Sequence, residues 1–89
     1  MEIFEDDDEG YLRWLRLHPN GYVLNYKRPP EVNVLKLHHS TCGDITGTPH
    51  RGDLWTVAYG KACSDDRRGL ERYARQLGGS ALECGNCFR

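Results

Sequence analysis

The period of the apolar positions changes along the chain, and each change marks an element. Tyr11, Trp14, Leu15 and His18 recur at helical spacing, with Arg13 and Arg16 nearer the wet side. Asp8 stands where an N-cap belongs, Pro19 closes the helix and Asn20-Gly21 turns the chain. Tyr22-Val23-Leu24-Asn25-Tyr26 and Val32-Asn33-Val34-Leu35-Lys36-Leu37 are rich in aromatic and β-branched residues. They flank Lys27-Arg28-Pro29-Pro30-Glu31, whose proline pair excludes helix, so the stretch predicts a hairpin. Residues 38–53 turn to Thr, Gly, Pro and Asp and predict a long loop. Leu54-Trp55-Thr56-Val57-Ala58-Tyr59 predicts a third strand that delivers Cys63 just past its end.

Ser64 caps a second predicted helix that runs to Leu77, with Leu70, Tyr73, Ala74 and Leu77 as its apolar stripe. Gly69 weakens that helix by about 1 kcal/mol relative to Ala, and Gly78-Gly79 stops it. An extended piece, Ser80-Ala81-Leu82-Glu83, leads into Cys84-Gly85-Asn86-Cys87. This order predicts an α+β fold in which two helices pack on a small antiparallel sheet.

Composition narrows the class. Eighty-nine residues suffice for one domain, here residues 10–89 behind an acidic leader at 1–9. Hydrophobic residues make up 38% and charged residues 28%, too apolar for general disorder and too polar for a membrane span. The N-terminus is acidic where a signal peptide is basic, so a cytoplasmic protein without a membrane partner is expected. The net charge of -1 hides an asymmetry: Glu2, Glu5, Asp6, Asp7, Asp8 and Glu9 leave residues 10–89 at about +5. A basic body points to an anionic partner, and a run of like charge predicts a mobile leader.

Four cysteines, Cys42, Cys63, Cys84 and Cys87, carry the candidate chemistry. Cys84-x2-Cys87 is a knuckle whose two thiolates face one tetrahedral ion, and Cys42 and Cys63 fall in loops or strand ends that reach it. The spacing predicts a closed structural zinc site made by all four, with His38 or His39 as a substitute for one sulfur. The plain alternatives are reduced core thiols or a redox pair at Cys84 and Cys87.

With these residues in view, the chain resembles a small bacterial four-cysteine domain of actinobacterial type. The resemblance runs through Tyr22-Val23-Leu24-Asn25, Leu37-His38 with Cys42, and Trp55-Thr56 with Tyr59, Lys61, Cys63 and Ser64. It continues through Leu70 with Ala74 to Cys84 with Cys87. It implies the fold and the metal site and brings no activity. The zinc domain of alkylation-repair proteins does not fit, because no cysteine lies three residues from Cys42.

The second helix supplies a candidate partner surface. Arg68, Arg72 and Arg75 fall at i, i+4 and i+7, close to opposite the apolar stripe, and arginine forks suit phosphate oxygens. Lys27 and Arg28 form a second basic set at the hairpin tip, with Tyr22, Tyr26 and Tyr59 nearby for stacking. An arginine row is also what the wet face of an ordinary helix looks like. Two sites for catalysis deserve naming, the run His38-His39-Ser40-Thr41-Cys42 and the loop pair His50 and Asp53; neither shows a preorganised nucleophile and base. No catalytic residue and no small-molecule substrate is expected. The expected function is nucleic-acid binding, with DNA and RNA both open. The alternative is a protein-interaction or inhibitor module whose acidic N-terminus engages a basic partner.

Overall fold

The computed structural model describes residues 1–46 and 54–88. Strands β1 (Glu2–Phe4), β2 (Tyr22–Lys27), β3 (Leu35–His39), β4 (Tyr59–Ser64) and β5 (Leu82–Glu83) form one sheet in the order β1-β4-β2-β3-β5. Helices α1 (Asp8–Leu17) and α2 (Arg67–Gln76) complete an α+β fold. The sheet is mixed, which corrects the all-antiparallel expectation: β5 pairs with β3 in parallel, and the other pairs are antiparallel.

Alternation along the strands assigns each helix its own face. Val23 stands between Cys63 and His38 across the sheet, and this face packs with Tyr11 and Trp14 of α1. Leu24, Leu37 and Ala62 point the other way, where Leu70 and Ala74 of α2 cover them. Both helices are amphipathic, so their stability comes from these buried stripes more than from propensity. The α2 helix ends in a Schellman turn: Gly78 takes φ +98, its N–H donates to Arg75 and the Gly79 N–H donates to Ala74.

Several boundaries move from their predicted places. Asp7 caps α1 by accepting the Gly10 N–H (2.9 Å), so Asp8 is freed for another task. Asp66 caps α2, while Ser64 accepts the Asp66 N–H (2.9 Å). The hairpin's second arm starts later, at Leu35, and takes in both histidines.

The predicted strand over 54–59 is not one. Trp55 is buried under α1, and the strand begins at Tyr59, where Gly60 and Ala62 are small enough to lie beneath Tyr26 and α2. A Cβ at residue 60 would collide with the Tyr26 ring.

The acidic leader belongs to the fold, which corrects the division into a mobile 1–9 and a domain at 10–89. Glu2, Ile3 and Phe4 pair with Cys63, Ala62 and Lys61 of β4. Glu5 accepts from the Tyr26 hydroxyl (2.6 Å), and Asp8 accepts from the N–H groups of Trp55 (2.6 Å) and Thr56 (2.8 Å) as well as the Thr56 hydroxyl.

Candidate metal centre

The parallel edge strand brings the C-terminal knuckle to β3. One residue past the Leu37–Glu83 pair, the Cys84 N–H donates to the Leu37 carbonyl (2.9 Å), which sets Cys84 beside His38. Cys42 arrives from the turn that follows β3, its N–H donating to the His39 carbonyl (3.0 Å). One ring nitrogen of His38 and the Sγ atoms of Cys42, Cys84 and Cys87 lie within 4.8 Å of one another. Cys42 and Cys84 Sγ are 4.0 Å apart. Zn–S bonds of ~2.3 Å set the sulfurs of a tetrahedron about 3.8 Å apart. All the cysteines are free thiols.

The backbone around the sulfurs is arranged for thiolates. The Asn86 N–H points at Cys84 Sγ (3.4 Å), the His39 N–H at Cys87 Sγ (3.4 Å), and the Asp44 N–H hydrogen bonds to Cys42 Sγ. Amide donors lower the cost of negative charge on sulfur, which burial otherwise raises. Cys42-Gly43-Asp44 and Cys84-Gly85-Asn86 make the same local turn, each sending the N–H two residues on to its own cysteine. The two turns are tied together where Asn86 Nδ2 donates to Asp44 Oδ2 (2.7 Å).

His38 supplies the observation that tests the fit. The residue is 3% exposed, and Nδ1 is buried with no hydrogen-bond partner among the described residues. Buried polar atoms are nearly always paired, so an orphan nitrogen on a ring that reaches three thiols is what a metal ion at this cluster would account for. Burial holds its pKa down at about 4, helped by Lys36 and Lys61 and opposed by Asp44. The ring is therefore neutral at pH 7, the form that binds metal. The donor set fits a metal ion.

Cys63 does not belong to the cluster, and the reason is the strand order. It sits on β4, with β2 and Val23 between it and His38, about two strand spacings of ~4.8 Å away. Its thiol is 0% exposed among Val23, Tyr11 and Trp14, and burial pushes its pKa up. His38 takes the place expected of Cys63. His39 points to the opposite face and stacks on Phe88 (centroids 4.1 Å), so its ring stands outside the cluster while its N–H serves Cys87.

The other predicted site residues divide. Arg68, Arg72 and Arg75 are all exposed on α2; Arg72 only grazes Asp66 (4.0 Å), and Arg68 and Arg75 have no ion pair among the described residues. Lys27 and Arg28 are committed elsewhere. Lys27 pairs with Glu31 (3.0 Å), and Arg28 makes two bonds to the Asp6 carboxylate (3.1 Å each) and donates to the carbonyls of Thr56 and Val57 (2.9 Å each). The leader's acids take the Arg28 charge, and Glu31 of the hairpin connection takes that of Lys27, which the hairpin tip was expected to offer to phosphate. Tyr26 is buried, and Tyr22 and Tyr59 are half-buried. Ser40 is buried with its hydroxyl on the His18 carbonyl (2.6 Å), which removes it as a nucleophile. His50 and Asp53 lie outside the described residues.

Asp44 and Asn86 were missed as members of this centre. The repeat of Cys-Gly followed by Asp or Asn, at 42–44 and 84–86, was the available signal. No helix among the described residues is long and apolar enough to cross a membrane. No protein-family model, no curated protein and no solved structure matches the chain.

Proposed function

We propose that this chain is a cytoplasmic, non-enzymatic module stapled by one structural zinc ion, which meets nucleic acid through the outer face of α2. The clustering of His38, Cys42, Cys84 and Cys87 supports the zinc reading. Three thiolates and an imidazole are soft donors that suit zinc, and four protein donors fill a tetrahedral shell without leaving a position for substrate. The ion would join the end of β3 to the C-terminal knuckle, closing the sheet at its weakest edge.

The charge on α2 supports the partner. The helix holds Arg67, Arg68, Arg72 and Arg75 against a single acid, Glu71. Arg67 is drawn to Glu83 (2.8 Å) and Glu71 (3.7 Å), which leaves the Arg68, Arg72 and Arg75 row outermost. The competing reading, an acidic N-terminus that docks on a protein, loses support because Glu5, Asp6, Asp7 and Asp8 are all engaged within the fold.

Salt dependence tests the interface and counts its contacts. Three neutralised phosphates give a log–log slope of about -2.7 on duplex DNA, whereas adding Lys27 and Arg28 would give about -4.5. We expect the smaller slope, and a similar loss of affinity for all sequences in Arg72→Glu. Absence of binding at low salt to duplex and single-stranded DNA and RNA would refute the nucleic-acid reading.

A further inference from the structure

We propose that Cys87 is an oxidant-sensing thiolate, and that its oxidation by a hydroperoxide links it to a second cysteine of the cluster, Cys42 or Cys84, and releases the metal. The inference rests on the metal-site reading above and adds a regulation to that site. Among the four donors, His38, Cys42 and Cys84 are buried and Cys87 alone is half-buried. A small oxidant therefore meets Cys87 first. A metal-site cysteine is already deprotonated at neutral pH, and the thiolate is the reactive form.

The resolving partner is close. Cys42 Sγ and Cys84 Sγ both lie within 4.8 Å of Cys87 Sγ, so either can resolve it. In the first step the Cys87 thiolate attacks the peroxide O–O bond, forming the sulfenic acid and expelling hydroxide (or alkoxide, from an organic hydroperoxide). In the second, the Cys42 or Cys84 thiolate attacks the Cys87 sulfur, forming S–S and expelling a second hydroxide. Two sulfurs lose one electron each and the peroxide gains both, so two thiolates and one hydrogen peroxide give one disulfide and two hydroxides. A disulfide draws its sulfurs to about 2.05 Å, far inside a tetrahedral edge, and removes two of the four donors at once. His38 and the one remaining cysteine make half a site.

The test uses the zinc-loaded full chain, hydrogen peroxide, a metal-sensitive dye and peptide mapping after thiol blocking. We expect stoichiometric zinc release together with a disulfide from Cys87 to Cys42 or Cys84, early dimedone trapping of sulfenic acid at Cys87, and recovery of the site by dithiothreitol and zinc. Cys87→His keeps four donors and should lose the release. Zinc retained under peroxide, a first dimedone adduct on another cysteine, a Cys42–Cys84 disulfide that leaves Cys87 out, or equal release from Cys87→His would overturn the proposal. If that variant fails to fold, the adduct and disulfide maps of the unmodified chain decide. A chain that takes up no zinc overturns the metal reading and this inference with it, whereas uptake followed by resistance to peroxide overturns this inference alone.

Discussion

Between Cys63 and His38 stands Val23, and that one intervening side chain settles which of the two meets the sulfurs. The equal spacing of Cys42, Cys63 and Cys84 carries no information about which strand lies between which, so the residue types were legible and their partition was not. Removing the Cys63 sulfur should cost packing alone. Cys63→Ala is expected to lose about 1 kcal/mol and to bind zinc as the parent does, while His38→Ala should lose zinc; metal content of the purified variants checks both. Lys61 makes a second residue-scale case. It is 3% exposed, with Nζ donating to Asn25 Oδ1 (2.6 Å) and the Trp55 carbonyl (2.8 Å). Burial pulls its pKa from 10.5 down to about 8, against the charges of Cys63 and Asp8. Between these two values the unfolded chain holds a proton that the folded chain has released, so this group's contribution to stability rises with pH across that window. Below pH about 8 both states are protonated and the contribution is flat. Urea midpoints measured across the window should climb less with pH in Lys61→Met than in the parent. Parallel curves would contradict the assignment.

At the scale of elements, the leader shows what charge pattern alone conceals. Five consecutive acids argue for repulsion, yet Asp6 faces Arg28, Asp7 caps α1 and Asp8 receives three hydrogen bonds from Trp55 and Thr56. The partners of Asp6 and Asp8 come from positions 22 to 48 residues away in sequence, where a local reading has no access. Burial raises the Asp8 pKa, but the hydrogen bonds from Thr56 and Trp55 and the charge of Lys61 outweigh it and hold the carboxyl below its ordinary range. Its contribution is therefore present above the unfolded pKa and is lost as pH falls through the lower folded value. Asp8→Ala should cost about 2–4 kcal/mol, and deletion of residues 1–9 should abolish cooperative unfolding. A deletion variant that melts at the parent's temperature would restore the mobile-leader view. The strand expected at 54–59 failed for a related reason: its apolar residues are there to bury Trp55 and to meet Asp8. The true strand is built from the small residues that follow.

For the whole molecule, helical periodicity and the hairpin were enough to reach an α+β fold with a helix in each of two places. The parallel β5 was beyond reach, since Leu82 and Glu83 are too few to show a period. Yet that two-residue pairing sets Cys84 beside His38, so the metal centre depends on the least legible strand. At ~0.05–0.15 kcal/mol per residue the chain has about 4–13 kcal/mol of stability, and structural zinc is worth an apparent ~10–16 kcal/mol in small domains. A chelator should therefore unfold the protein. The central claim is the identity of the four donors, and X-ray absorption at the zinc edge of the loaded chain reads it directly. Three sulfurs at about 2.3 Å and one nitrogen at about 2.0–2.1 Å are predicted. A shell of four sulfurs would return Cys63 to the site, and a shell of oxygens would contradict the centre altogether.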